Sequence, residues 1–419
     1  MDPTTIDHGI DPHIDPYSIP LEQMDVSHPV LFWANTMWDF FKRLREEDPV
    51  HYCPDSLYGP YWSVTKYADI VHVETNPQIF SSDQKLGGIA IQDDEEDFPL
   101  PMFIAMDPPK HDAQRKVVQP IVSGANLARF EPIIRERAGQ ILDALPTDRT
   151  FDWVDRVSVE LTGQMLATLF DFPWEDRRKL TRWSDVATAD ERSGIIESPA
   201  ARHLELLECG TYFTRLWNER VNAEPAPDLI SMLAHGEATR TMSPEEYLGN
   251  VILLIVGGND TTRNSITGGV LALNENPEEY DKLRTRPDLI PNMVSEIIRW
   301  QTPLAHMRRT ALQDTELRGK TIRKGDRVVM LYVSGNRDED AIPQANRFLI
   351  DRERARNHLS FGFGIHRCVG NRLAELQLRI IWEEIMARFA YVQVMEPPKR
   401  IYSNFVKGYA SLPVRVHRK

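Results

Sequence analysis

The chain has few cysteines for its length, and this scarcity excludes several classes of protein. Only Cys53, Cys209 and Cys368 occur among 419 residues. Three thiols do not make a disulfide framework, and their spacing lacks the Cys-x-x-Cys pairs of a zinc site. So few cysteines are typical of a reducing cytoplasm. Cys53 and Cys209 are most simply packing residues, whereas the surroundings of Cys368 indicate chemistry.

Long apolar runs are missing as well. The longest, residues 251–256, is far shorter than the ~18 residues that a membrane helix needs. The acidic, proline-rich residues 1–20 lack the charged-then-apolar pattern of a signal peptide. The net charge of −13 argues against non-specific nucleic-acid binding. We therefore expect a soluble, cytoplasmic protein with no membrane anchor and no nucleic-acid partner.

Hydrophobic periodicity predicts a mainly helical chain with small sheets. Helical patterns dominate residues 112–300 and 371–389, and strand-like alternation occurs at residues 61–64, 327–331 and 412–416. With 42% hydrophobic residues, the chain can bury a large core. The sequence has no internal repeat, low-complexity block or convincing linker, so we predict one large globular unit of the α+β class.

The most informative stretch is Phe-Gly-Phe-Gly-Ile-His-Arg-Cys-Val-Gly at residues 361–370. Its three glycines allow tight turns and a close approach to a flat ligand. The first N–H groups of the helix predicted to follow, together with the helix dipole, stabilise a thiolate at Cys368. Such a sulfur can hold a haem iron. The alternative, a buried structural cysteine beside a glycine-rich turn, is the commoner role of a lone cysteine.

Phe-Gly-x-Gly-x-His-x-Cys-x-Gly resembles the haem loop of the cytochrome P450 family, the haem-thiolate monooxygenases. The resemblance extends from about residue 29 to the C-terminus. It implies the cytochrome P450 fold over residues 29–419, with residues 1–28 as an N-terminal extension, and a haem b (iron protoporphyrin IX) bound through Cys368. Within the family the chain is similar to the soluble bacterial members.

A second motif, Gly-Gly-Asn-Asp-Thr-Thr at residues 257–262, lies within a predicted helix. Two adjacent glycines each cost about 1 kcal/mol in a helix, which suggests that a ligand needs the space. A carboxylate and a hydroxyl suit controlled proton delivery. A buried helix with a polar patch at a kink is the alternative.

Together with the cysteine loop, this motif resembles the oxygen-activating helix of the family. The resemblance assigns Thr261 to stabilising the activated oxygen group and Asp260 to proton relay, although Thr262 offers a second hydroxyl. Asn264, one turn beyond Asp260, is expected to steady that carboxylate. Gly258 and Phe361 are expected to contact the haem.

The resemblance also assigns roles to two further sets of charged residues. Glu296 and Arg299, three residues apart, lie on one helix face and match the family's structural Glu-x-x-Arg element. In the family this pair forms a buried triad with a further arginine, which corresponds to Arg352 here. Haem propionates need cations, and the resemblance assigns this role to His111, Arg115, Arg309 and His366. Many family members carry arginine where this chain has His366, which makes that contribution pH-dependent.

Electrons must come from another protein, because the sequence has no flavin or iron–sulfur motif. Arg367, Arg372 and Lys116 can form a basic patch on the thiolate side of an otherwise acidic protein. A [2Fe-2S] ferredoxin, itself reduced by NAD(P)H through a ferredoxin reductase, is expected to dock there by charge. The equally favoured alternative is that these three cations are scattered over the surface and only solvated.

The family register also predicts the lining of the substrate pocket. All of the candidates are apolar, which indicates a hydrophobic substrate, although a core position is the simplest alternative for each. They are Leu253, Val256, Leu304, Met307, Phe405, Val406, Ile89, Ile91 and Phe103.

Residues 257–265 and 107–116 resemble the soluble bacterial alkane and fatty-acid terminal hydroxylases. The expected activity is therefore insertion of one oxygen atom from O2 into an unactivated C–H bond, at the terminal (omega) carbon of a medium-chain alkane or fatty acid. A sterol or terpenoid side-chain hydroxylase is the main alternative. Two further alternatives are a peroxide-driven peroxygenase, which would need no proton relay, and a haem-based gas sensor, which would need an output domain.

Overall fold

A 32-residue helix, α10, runs through the middle of the molecule. Ser243 caps its first turn by accepting a hydrogen bond from the N–H of Glu246, and Pro244 and two acidic residues follow. The computed structural model describes residues 10–93 and 98–419. Its helices are α1 Pro29–Ala34, α2 Met37–Glu47, α3 Tyr67–Glu74, α4 Lys110–Val118, α5 Gly124–Asp143, α6 Glu160–Phe170, α7 Arg177–Thr188, α8 Pro199–Val221, α9 Leu229–His235, α10 Pro244–Glu275, α11 Pro277–Thr285, α12 Ile290–Gln301, α13 Tyr332–Gly335 and α14 Asn371–Arg388.

The strands are short and form small sheets at the edge of the helical body. They are β1 Val50–Cys53, β2 Tyr61–Val64, β3 Phe80–Ser81, β4 Phe151–Asp152, β5 Met307–Ala311, β6 Thr315–Leu317, β7 Lys320–Ile322, β8 Arg327–Met330, β9 Phe389–Val394, β10 Lys399–Arg400, β11 Tyr409–Ser411 and β12 Pro413–Arg418. One sheet has the order β1-β2-β8-β5-β3, in which only β2 and β8 run parallel among the described residues. A second has the order β4-β12-β9.

The predicted mainly helical fold with small sheets is confirmed. The strand expected at residues 61–64 is β2, and those expected near 327–331 and 412–416 are β8 and β12. The helix expected after Cys368 is α14, which begins at Asn371 and ends at Arg388. Within the described part of the chain, no helix is both long and apolar enough to cross a membrane.

Helices α6, α7, α12 and α14 surround α10, and their apolar faces form the largest hydrophobic core. A smaller core joins α1 and α2 to β1, β2 and β8. Residues 10–28, part of the segment expected as an extension, run along this smaller core, where Met24 and Val26 are fully buried. Residues 1–9 lie outside the described residues.

A buried triad of charges joins α12 to the segment that precedes the cysteine loop. Glu296 accepts hydrogen bonds from Arg299 (2.7 and 2.8 Å) and from Arg352 (2.8 Å), and the carboxylate is fully buried. The Arg299 guanidinium also donates to the carbonyl groups of Asn336 and Ala345, both at 2.8 Å. The predicted Glu-x-x-Arg pair and Arg352 thus lie together, and the two guanidinium groups anchor the backbone of residues 336–352 by hydrogen bonds to its carbonyl groups.

Removing the central carboxylate of this triad should strongly destabilise the fold. Glu296→Gln leaves two buried guanidinium groups without their ion-pair partner, which costs about 3–5 kcal/mol. Glu131→Gln is the matched control, since Glu131 pairs with Arg379 at the surface and such pairs contribute about 0–1 kcal/mol. Denaturant unfolding measures both. Equal losses of unfolding free energy in the two variants would contradict the structural role of the triad.

Candidate active site

The cysteine loop is shaped by backbone hydrogen bonds and by two glycines with positive φ. The N–H of Cys368 donates to the carbonyl of Phe361 at 2.8 Å, and that of Gly362 to Leu359 at 2.7 Å. Gly362 (φ 66°) and Gly364 (φ 63°) occupy the left-handed region. A side chain on Gly364 would also collide with the backbone of Glu74. The loop therefore needs glycine at this position for two independent reasons.

Cys368 keeps solvent-accessible surface although protein atoms surround it densely. Burial raises the pKa of its thiol above the ordinary value. The backbone N–H groups of Gly370 and Asn371, at the start of α14, and the cations of Arg115 and Arg367 lower the same pKa. These groups can stabilise the thiolate as a ligand.

Glu74, at the end of α3, holds the loop from the other side. Its carboxylate accepts a hydrogen bond from the N–H of Phe363 at 2.8 Å and another from the hydroxyl of Tyr332. It also lies 3.6 Å from the Arg309 guanidinium. The sequence analysis missed Glu74, because its importance comes from three partners that are all distant in sequence.

The four predicted propionate ligands come together beside this loop. The His111 and His366 rings lie 4.3 Å apart, between centroids. Burial, together with the charges of Arg309, His111 and Arg115, lowers the pKa of His366 to about 2. The Arg115 guanidinium donates to the carbonyl of Arg367, and Arg309 donates to the carbonyl of Arg308 at 2.7 Å. This cluster has an excess of positive charge and of hydrogen-bond donors.

One nitrogen of each histidine ring is buried without a protein partner. His111 Nδ1 pairs with the Asp112 carboxylate at 2.7 Å, and His366 Nε2 pairs with the Ser82 hydroxyl at 3.0 Å. Among the described residues, His111 Nε2 and His366 Nδ1 have no hydrogen bond. Buried polar atoms require partners, so this pair of rings fits an anionic ligand. Ser82, which sets the orientation of His366, has no sequence signal.

The second motif lies on α10, where Gly257 and Thr261 leave part of the helix surface uncovered. Thr261 is partly exposed although its helix is buried, and its hydroxyl donates to the carbonyl of Gly257 at 3.0 Å. A side chain on Gly257 would meet open space, whereas one on Gly258 would collide with Leu166 of α6. Gly257 is therefore the glycine that opens space for a ligand, and Gly258 allows α6 to pack closely.

Asp260 is completely buried in a charged network between α10 and α7. Its carboxylate accepts hydrogen bonds from Arg263 (2.8 Å), Asn259 (2.9 Å) and Thr188 (3.2 Å). Arg263 also pairs at 2.8 Å with Asp185, which is partly exposed. Burial raises the pKa of Asp260, and Arg263 lowers it.

The expectation that Asn264 steadies Asp260 is wrong. The Asn264 side chain points away from that carboxylate and accepts a hydrogen bond from the N–H of Tyr409 at 3.0 Å. Arg263 and Asn259 hold Asp260 instead. The partners of a helical residue depend on the neighbouring helix, and the spacing along α10 alone does not contain that information.

The predicted substrate-pocket residues are buried or partly buried in the three apolar clusters of the fold or beside them. Val406 pairs with Leu304 through a β-bridge. His306, which the sequence analysis missed, links two of the predicted wall segments. Its Nε2 accepts a hydrogen bond from the N–H of Ile91 at 3.1 Å, and its Nδ1 donates to the carbonyl of Asn404 at 3.0 Å.

The proposed basic patch is exposed on the thiolate side. Arg367, Arg372 and Lys116 all have exposed side chains, and the carbonyl of Arg367 accepts a hydrogen bond from Arg115, next to Lys116. Within the described ranges, the acidic side chains form no ion pair with these three cations. They are therefore free to meet an anionic surface.

Taken together, these groups fit a haem. Cys368 supplies a sulfur stabilised by a helix N-terminus. The guanidinium groups of Arg115 and Arg309 and the two unpartnered histidine nitrogens suit a pair of carboxylates, and Gly257 leaves room beside α10. Thiolate ligation of this kind is typical of haem enzymes that cleave the O–O bond.

Comparisons with known proteins agree with this site. The family model described as cytochrome P450 matches residues 217–412. The chain is 36% identical to linalool 8-monooxygenase of Pseudomonas putida over 94% of this chain and 99% of that one. It is 32% identical to the methyl-branched lipid omega-hydroxylase of Mycobacterium tuberculosis, over 95% and 96%. The structure of CYP153D17 from Sphingomonas sp. PAMC 26605 matches with a TM-score of 0.90 and 49% identity, over 95% and 100%.

The buried, hydrogen-bonded His306 ring should make the free energy of unfolding depend on pH. Burial lowers the pKa of His306 from 6.5 to about 4, so the native state favours the neutral ring. As the pH falls from about 6.5 towards 4, the unfolded state takes up the proton first, and native stability falls by up to about 1.4 kcal/mol per pH unit.

Unfolding experiments at several pH values test this link. His306→Gln should be less stable than the parent protein at pH 7, and the difference should shrink as the pH falls to about 5. The exposed His13→Gln variant is the control and should follow the parent protein at every pH. A pH-independent difference between His306→Gln and the parent protein would contradict the role of a neutral, buried ring.

Proposed function

Because this chain belongs to the cytochrome P450 family, and is a monooxygenase with haem b as its cofactor, we propose that it hydroxylates the terminal carbon of medium-chain alkanes or fatty acids. When bound, the haem supplies the redox chemistry that activates O2 for insertion into an unactivated C–H bond. The observation that carries the proposal is the Cys368 sulfur at the start of α14, beside a cluster of two arginines and two histidines whose ring nitrogens His111 Nε2 and His366 Nδ1 have no partner among the described residues.

We assign to Cys368 the sulfur that would hold the haem iron. Two backbone N–H groups at the start of α14 and the cations of Arg115 and Arg367 all favour its thiolate. These donors keep the sulfur negative while leaving its lone pairs available to a metal. Phe361 accepts the hydrogen bond from the Cys368 N–H and so fixes the position of the sulfur. Replacement of the thiol by another ligand would remove this electron donation.

We assign the binding of the haem propionates to His111, Arg115, Arg309 and His366. Their clustering concentrates positive charge where two carboxylates have to be held in a largely buried site. Charge-assisted hydrogen bonds of this kind are stronger than neutral ones. Glu74 and Ser82 orient Arg309 and His366, respectively.

Thr261 and Asp260 manage protons in this proposal. The Thr261 side chain is partly exposed on α10, and its neighbour Asp260 is buried in the network with Arg263. Asp185, partly exposed and paired with the same arginine, is the outer end of this network. Protons thus reach the hydroxyl through charged side chains, without flooding the site with water.

The apolar wall supports a hydrophobic substrate. The nine predicted wall residues carry no charge, and a long aliphatic chain gains about 0.8 kcal/mol for each buried CH2 group. The omega-hydroxylase named above acts on methyl-branched lipids, and its similarity covers nearly the whole chain. A terpenoid hydroxylase is the second candidate, because a relative of comparable coverage is a linalool 8-monooxygenase.

The redox partner in our proposal is a [2Fe-2S] ferredoxin, reduced by NAD(P)H through a reductase. The exposed cations of Arg367, Arg372 and Lys116 lie on the side of the thiolate. They would steer an acidic protein to the face nearest the sulfur, in a chain whose net charge is −13. The three free cysteines are typical of the cytoplasm, which is the compartment we propose.

A pair of threonine variants tests the proton-handling proposal. Thr261→Val removes the partly exposed hydroxyl of α10 and should lower the product formed per NADH consumed, with more hydrogen peroxide released. Loss of such a group typically costs about 10²–10⁴-fold. Thr262→Val is the matched control, since Thr262 is buried on another face of α10, and should retain coupling. A larger loss in Thr262→Val would move the assignment to that hydroxyl.

A spectral titration tests the substrate class. We expect alkanes and fatty acids of increasing length to shift the haem spectrum towards high spin. Affinity should rise about fourfold for each added CH2 group until the pocket is filled. Linalool and a sterol serve as comparisons. If either binds more tightly than every alkane and fatty acid in the series, the second candidate replaces the first.

A further inference from the structure

A second cavity lies apart from the candidate active site. Its volume is about 300 Å³, and it is bounded by α2, by the C-terminal ends of α10 and α12, and by residues 400–409. Small-molecule sites typically have volumes of about 300–1,000 Å³. Its wall contains none of the residues assigned above to the haem, the protons or the substrate. The cavity therefore needs its own explanation.

Positive charge dominates the wall of this cavity. Arg337, Arg400 and Lys407 line it, together with the single carboxylate of Glu275 among the described lining residues. Burial and the charges of Arg400 and Arg337 lower the pKa of Lys407 well below its ordinary value, and Glu275 raises it. One carboxylate does not balance three cations in a protein interior.

Arg337 is the most unusual of the three cations. It is only 6% exposed, and its guanidinium lies 3.4 Å from the centre of the Trp300 ring and 4.5 Å from that of Trp38. No hydrogen bond or ion pair of this guanidinium occurs with any residue that the structure describes. Stacking on aromatic rings leaves the N–H groups at the edge of an arginine free to donate.

Lys407 also keeps donors for a ligand. Its ammonium group donates to the carbonyl of Gln301 at 2.6 Å, at the C-terminal end of α12. An ammonium group has three N–H donors, and two remain after this contact. Lys407 is therefore both a cap for the helix and a donor at the cavity wall.

We propose that this cavity binds a small organic anion, a carboxylate or phosphate ester with a flat apolar body. Arg337 and Lys407 donate hydrogen bonds to the anionic group, and Arg400 adds positive charge. Trp38, Trp300 and Leu271 enclose the apolar body. An organic anion fits better than a bare inorganic ion, because two tryptophan rings line a cavity of this size.

Titration calorimetry on the full-length, haem-loaded protein tests this site, with benzoate and phenyl phosphate as probes and sodium chloride balancing the ionic strength. We expect either probe to bind in a 1:1 ratio without a change in the haem spectrum. The neutral isostere benzyl alcohol should not bind in this way. Binding of benzyl alcohol as tight as that of benzoate, or binding of inorganic phosphate alone, would overturn the proposal.

Two neighbouring cations provide the matched variants. Arg400→Gln should weaken benzoate binding about tenfold, as expected for loss of a charged partner. Lys399→Gln, which changes an exposed cation outside the cavity wall on the same strand, should leave the affinity unchanged. Unaltered melting temperatures show that both variants fold. If benzoate does not bind, if both variants bind it equally, or if its binding shifts the haem spectrum, the proposed site is wrong.

Discussion

The position of the Cys368 sulfur depends on a buried ion-pair triad formed by Glu296, Arg299 and Arg352. Glu296 holds Arg299 and Arg352, and Arg299 in turn holds the carbonyl of Asn336. The Asn336 side chain accepts a hydrogen bond from the N–H of Leu359 at 2.7 Å and donates to the Ser360 hydroxyl at 2.9 Å. The triad thus fixes both ends of the segment that leads into the cysteine loop.

Much of the fold and of the site could be predicted from short motifs, because local sequence contains the information. Glycine spacing, a helix N-terminus and a cysteine are enough to predict the loop at residues 361–370 and the helix that follows it. The strand at residues 61–64 follows from alternation alone. The resemblance to a known family then supplied the two arginines and two histidines that cluster beside the cysteine loop.

The rest could not be predicted, because it depends on contacts between distant segments. Which of Gly257 and Gly258 opens space is decided by Leu166 of a different helix. Asn264 points to Tyr409 and not to Asp260 for the same reason. Net charge is equally uninformative about local charge. A net charge of −13 gives no sign that Arg337, Arg400 and Lys407 line one cavity.

Glu74 also bears on the order in which the molecule assembles. Its carboxylate joins residues separated by 258 positions (Tyr332) and 289 positions (Phe363) along the chain. Contacts of such long range form only after much of the chain has been brought together, since closing large loops costs entropy. We therefore expect the cysteine loop to reach its final shape late in folding, and the cofactor site to be complete only in molecules whose N-terminal and C-terminal parts have already docked.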